Sequence, residues 1–168
     1  MPEFHTAFGS LEKFEKGHVE IIDDDVKHYV FSNVFEIASK APPYEKTAVA
    51  KNLEYVIEAI RAEGTSGWMA ASHDEFVVVM DGEVAVELVK LDRPEAVAPP
   101  GKDGTVAVKG EPGGRRMGRI TLRRGHQALL PAGAAYRYVA ARPSVMIQQT
   151  IAGELTRERW GEICLKPQ

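Results

Sequence analysis

Two stretches of this chain set apolar strands between glycine turns at fixed spacing, and they leave few folds open. Residues 67–82 read GWMAASHDEFVVVMDG, in which six residues separate Glu75 from Gly82. Residues 125–140 read GHQALLPAGAAYRYVA. There five residues separate Gly125 from the turn Pro131-Ala132-Gly133, and two more lead to Tyr136. The run 76–80 is continuously apolar and reads as a strand. Asp81-Gly82 reads as a hairpin turn, and Val84, Val86 and Leu88 alternate on the returning strand. Residues 118–123, 127–130, 136–140 and 145–151 read as further strands. Short strands punctuated by glycine and proline specify an all-β architecture.

The flanking segments are less regular. Residues 1–44 form an N-terminal arm. In it Ser10 caps one or two helical turns that end at Gly17, with Glu12 and Glu15 near the start. Residues 28–31 are β-rich, and Pro42-Pro43 closes the arm. The Asp23-Asp24-Asp25 run lacks the alternating ligands and closing glutamate of a calcium loop, so it reads as a solvated turn. Residues 46–62 place Val49, Leu53, Val56, Ile57 and Ile60 at helical spacing, but the glycine frame that follows requires strands. We read 46–51 and 54–62 as strands joined at Asn52. Residues 93–117, rich in Pro, Gly and charge, form a long insertion shaped as a hairpin or flap, with a weak β patch at 105–108. Its GEPGGRRMGR sequence lacks the Lys-Ser or Lys-Thr of a phosphate loop, which leaves Arg115 and Arg116 to meet acids of a partner. Residues 152–168 form a C-terminal extension in which Leu155, Trp160, Ile163 and Leu165 need burial.

Length and composition set the outer bounds. The 168 residues make one domain, 1–168, large enough to bury roughly 70% of its unfolded surface. A net charge of -3 and the lack of any basic helix argue against nucleic acid. No apolar run is long enough to span a membrane. The single Cys164 has no internal disulfide partner, and residues 1–20 lack the features of a secretory signal, so a cytoplasmic location is expected.

The two glycine frames resemble the paired motifs of the cupin superfamily, which implies a single cupin unit, a double-stranded β-helix or jelly-roll barrel, over residues 45–151. Cupins hold their metal with histidines in these frames. Here the shorter spacing puts the expected histidines at Met69 and Ala71, the longer one at Trp68 and Ala70, and Tyr136 replaces the third. Ala140 stands where asparagine is usual. Glu75 alone cannot hold a divalent ion, so the chain is expected to bind no metal. His73 shares strand parity with Met69, Ala71 and Glu75 and is expected to face the barrel. Trp68 has the opposite parity. It is expected outside the barrel, as an interface or substrate-pocket residue, unless the arm or tail covers it. His126 beside Gly125 reads as a surface residue, and His5, His18 and His28 form no ligand spacing.

More narrowly, FGSLEKFEKGHVEIIDDD with KHYVFSNVFEIA, KNLEYVIEAIRAEGTSGW and SHDEFVVVMDGEVAVELVKLD resemble the small subunit of two-subunit hydroquinone 1,2-dioxygenases. That resemblance implies a larger cupin subunit that carries Fe(II) and opens hydroquinone with O2 to 4-hydroxymuconic semialdehyde. It also implies an α2β2 heterotetramer and no catalytic residue or cofactor in this chain. Two other readings stay open. One is a stand-alone metal-free isomerase or cyclase with His73 and Tyr136 as base and acid. The other is a ligand-binding or purely structural cupin. An obligate subunit is expected to be poorly soluble or inert alone, and an isomerase self-sufficient.

Overall fold

The computed structural model describes residues 7–25, 28, 29 and 31–163. Its spine is β9 (Ala134–Ile151), an 18-residue strand that every large piece of sheet borrows. The C-terminal half of β9 lies between β2 (Tyr55–Thr65) and β4 (Glu75–Asp81), and its N-terminal half pairs with β5 (Glu83–Leu91). Sequence reading divides β9 at residues 141–144. The strand instead runs through Pro143, and a register shift against β2, between Ala62 and Gly64, takes residues 141–143 out of the ladder and accommodates the missing donor. The sheet is completed by β1 (Lys46–Asn52) on β2, β10 (Thr156–Arg157) parallel to β1, and β8 (Gln127–Leu130) on β4. Beyond β5 lies β7 (Gly114–Arg123). The short β3 (Met69–Ala70) joins β6 (Val106–Ala107) to β9.

The strands expected at 46–51 and 54–62 are present as β1 and β2, so the glycine frame outweighs helical spacing. Asp81-Gly82 is not a hairpin turn, because β4 and β5 pair with different stretches of β9 rather than with each other. It is a corner between two parts of the sheet. Gly82 sits at φ 82°, and a Cβ there would lie 2.2 Å from Ser144 Oγ. Only glycine fits where the chain turns against β9. Alternate residues of the strands point inward to one core that holds Ile60, Val77, Val79, Val84, Val86, Leu88, Leu122 and Leu130.

Three expectations for the flanks need correction. Residues 11–17 form no helix; Ser10 Oγ accepts a hydrogen bond from Lys13 N in an isolated turn. Leu11 and Phe14 pack against the cluster around Phe35 without a helix, since so short a one does not repay nucleation. The helix of the arm is α1 (Val34–Lys40), capped by Asn33 Oδ1 on Phe35 N at 2.9 Å. It buries Phe35 and Ala38 against Val145, joined by Leu11, Phe14 and Met80. Residues 28, 29 and 31 belong to no strand. The insertion is shorter than expected, because β7 already begins at Gly114 and 114–117 belong to the sheet. Rather than standing off as a flap, the insertion carries a short helix, α2 (Pro94–Val97), and docks through β6 on β3. The acidic run is a solvated turn in which Asp24 is hydrogen-bonded by His28 and Tyr29. The C-terminal extension supplies β10 and a last turn of helix, α3 (Trp160–Ile163). His5, Cys164 and Leu165 lie outside the described residues. No helix among the described residues is long and apolar enough to cross a membrane.

Candidate functional site

The barrel interior contains an unbroken chain of hydrogen bonds. Thr105 Oγ1 donates to Glu75 Oε1 at 2.5 Å, and Tyr136 Oη donates to Glu75 Oε2 at 2.6 Å. Gln148 Nε2 donates to Tyr136 Oη at 2.9 Å. The carbonyl of Gln148 accepts from Tyr138 Oη and from Lys46 Nζ, each at 2.8 Å. Lys46 Nζ also lies 3.2 Å from Glu58 Oε2, and Thr156 Oγ1 donates to Glu58 Oε1 at 2.8 Å. Glu58, Glu75 and Gln148 are essentially inaccessible to water. Buried charges need partners: Lys46 is paired with Glu58, and the two oxygens of Glu75 are each met by a hydroxyl donor.

Burial pushes the phenols of Tyr136 and Tyr138 well above their usual range, and the nearby charge of Glu75 pushes in the same direction. Both remain donors at neutral pH, the protonation state the network needs. Tyr44 stacks on Tyr138 with ring centroids 6.3 Å apart and donates to the Gly64 carbonyl at 2.6 Å. Partial burial raises its phenol to about 12. Above these rings a cleft of about 270 Å3 opens, lined by Tyr44, Lys46, Met69 and Arg157.

The side chains at the expected ligand positions do not fit a metal. Met69 and Ala71 are buried and bring no nitrogen, and the Tyr136 hydroxyl is committed to Glu75. Both oxygens of Glu75, the remaining carboxylate, are taken by hydroxyl donors. Among the described residues no three His, Cys, Asp or Glu side chains cluster as ligands. A mononuclear centre needs several such groups around one point.

His73 and Tyr136 are not brought together. His73 Nε2 lies 3.0 Å from Thr150 Oγ1 and 3.4 Å from the Ile151 amide, and its Nδ1 is buried without a partner. The two side chains share no hydrogen bond and no common partner among the described residues. His126 is exposed and accepts from Arg123 N. Sequence reading missed Lys46, Glu58, Thr105, Tyr138 and Gln148. For two of them a signal exists: Glu58 stands between Val56 and Ile60, and Gln148 between Met146 and Thr150, on the inward parity of their strands.

Trp68 leaves the barrel core as strand parity requires, since Met69 belongs to the main core and Trp68 to a second cluster with Val89, Leu91 and Ala135. It is not an exposed anchor. The insertion covers it with Val97, Val106 and Val108, leaving 8% of the residue accessible. Among the described residues the cover comes from the insertion rather than from the arm or the tail. The indole N–H donates to Glu111 Oε2 at 3.2 Å, and the Arg137 guanidinium sits 4.5 Å from the ring centroid.

Among solved structures the chain is similar to a chain of hydroquinone 1,2-dioxygenase PnpCD in complex with Cd2+ and 4-hydroxybenzonitrile. The two are 54% identical with a TM-score of 0.92 over 98% of each. It is similar also to a chain of hydroquinone 1,2-dioxygenase from Sphingomonas sp. TTNP3 with 4-hydroxybenzoate bound. There identity is 56% and the TM-score 0.95, over 99% of this chain and 100% of that one. The chain belongs to the hydroquinone 1,2-dioxygenase family. Structures of this family also contain a longer chain. In hydroquinone 1,2-dioxygenase PnpCD in complex with Fe3+, 84% of the present chain superposes on 39% of that longer one, at a TM-score of 0.61 and 12% identity. At that identity the match shows a shared fold and nothing further. Hydroquinone 1,2-dioxygenases thus combine a short barrel chain, to which this one corresponds, with a longer chain that contains a similar fold. Comparison with family models and with curated proteins finds no match.

Proposed function

We propose that this chain is the small subunit of a heteromeric Fe(II)-dependent hydroquinone 1,2-dioxygenase that converts hydroquinone and O2 to 4-hydroxymuconic semialdehyde. Its partner is the larger cupin subunit, which holds the iron, and the assembly is an α2β2 heterotetramer. The observation that carries this reading is the end-to-end match, above half identity, to chains of two hydroquinone 1,2-dioxygenases. The interior agrees with it: of the positions that hold metal in other cupins, Met69 and Ala71 are apolar and buried, and Glu75 and Tyr136 are hydrogen-bonded to each other.

In this role the chain supplies shape rather than reacting groups. An aromatic diol needs a water-poor pocket beside an iron with free positions, and a rigid second barrel forms one wall of it. The Trp68 face, stiffened by the docked insertion and by Arg137, is the part of the chain we assign to that wall, with His73 as a further candidate. The test is oxygen uptake with hydroquinone by each chain alone and by the two expressed together. Turnover is expected only from the pair. Uptake by this chain alone after iron loading excludes the subunit reading.

A further inference from the structure

Although the chain as a whole is acidic, the outer face of β5, β7 and β9 carries an excess of arginine. Cross-strand register sets Arg119, Glu87 and Arg137 in one row. Glu87 receives Arg137 Nε at 2.7 Å, has Arg119 Nη1 at 3.7 Å and feels the charge of Arg116. One carboxylate thus answers three guanidinium groups, of which Arg137 also reaches Glu111 at 3.8 Å.

Beside this row lies a groove of about 780 Å3, lined by Glu12, Asp81 and Glu83 as well as by four arginines. Its floor is made of small side chains, Ala85, Thr121, Val139 and Ala141. Arg123 and Arg124 line it but are paired with Glu83 and Asp81. Arg142 also lines it and is exposed, with no ion pair among the described residues. One wall of the groove is β7, which pairs only with β5 and buries only Leu122. Its exposed residues include Met117 and Ile120 as well as arginines. Charges alone are a common way to blunt a free edge. Exposed apolar residues beside them defeat that purpose and instead match a surface kept for a partner.

The geometry points to this arginine-walled groove as the docking surface for an acidic segment of the larger, iron-carrying subunit. The inference rests on the subunit reading above and deepens it by naming a face and the chemistry of its occupant. The partner segment sets carboxylates against Arg116, Arg119 and Arg142 and an apolar side chain against Met117. The groove is continuous with the Trp68 face, because Arg137 stacks on the indole and shares Glu87 with Arg119.

The experiment measures the affinity of the full-length chain for the purified larger subunit at several salt concentrations. The variant Arg116→Glu/Arg142→Glu is compared with Lys40→Glu/Lys51→Glu, which makes the same charge change on α1 and β1. Thermal melts check that both variants fold. We expect affinity to fall about tenfold or more in the arginine variant, with loss of the salt dependence, and to be retained in the lysine variant. A smaller loss, or an equal loss in the lysine variant, overturns the docking face while leaving the subunit reading intact. Failure of the wild-type chain to bind the larger subunit overturns both.

Discussion

Replacing Tyr136 by Phe removes one oxygen and leaves the shape of the barrel interior unchanged. That oxygen serves two groups, donating to Glu75 at 2.6 Å and accepting from Gln148 at 2.9 Å. Glu75 keeps only the Thr105 donor on its other oxygen, and Gln148 Nε2 is left with no acceptor. A hydrogen bond to a charged group contributes about 1.5–3 kcal/mol, and an abandoned buried donor costs about 1–3 kcal/mol. We therefore expect Tyr136→Phe to lose about 3–5 kcal/mol, with no cavity contribution because the ring remains. Tyr138→Phe is the internal control. It removes a single donor from a Gln148 carbonyl that still holds Lys46, so its cost should be about 1 kcal/mol. The assay is urea unfolding of the purified chain, with hydroquinone turnover measured in the co-expressed complex. Turnover per assembled complex should persist in both variants. A Tyr136→Phe chain as stable as Tyr138→Phe contradicts the account of the interior, and loss of turnover without loss of stability makes Tyr136 a reacting group.

Two further outcomes follow from the outer face. Trp68→Ala empties the cluster beneath the insertion and should cost the chain about 3–5 kcal/mol in urea unfolding; in the complex, assembly or turnover should fall beyond what that loss explains. The hydrogen bond from Arg137 holds the carboxyl of Glu87 below its usual range, with burial opposing and the charges of Arg137, Arg119 and Arg116 adding. A depressed carboxyl stabilises the fold above its unfolded pKa of about 4.3 and loses that contribution as pH falls through its folded pKa. Glu87→Gln should therefore be less stable than wild type at neutral pH and equal to it in strong acid. An equal deficit at both ends in urea melts would assign the effect to packing instead.

The elements legible in the sequence are those fixed by local chemistry. Glycine and proline spacing located β4, β8 and the two metal frames, and the missing histidines were visible at Met69, Ala71 and Tyr136. Parity placed Trp68 outside the core correctly. It could not reveal that residues 97–108 return to cover the ring, because nothing local to Trp68 encodes that return. The interior network was hidden for the same reason. Lys46 and Gln148 are 102 residues apart, as are few pairs a linear reading would join. In the arm, Ser10 offered a cap and Leu11 and Phe14 an apolar pair, but the segment is too short to nucleate a helix. Asn33 preceded Phe35, Ile37 and Ala38, which bury, and the Glu36–Lys40 pair at helical spacing was the overlooked sign of α1.

The central claim is that this barrel has given up its metal and works beside a chain that kept one. Metal analysis of the purified two-chain complex tests it most directly, followed by separation of the chains and analysis of each. The account predicts about one iron for every larger chain, equal numbers of the two chains, and no stoichiometric transition metal retained by this chain. About one chelatable iron or manganese bound to each copy of this chain, and required for turnover, would contradict it.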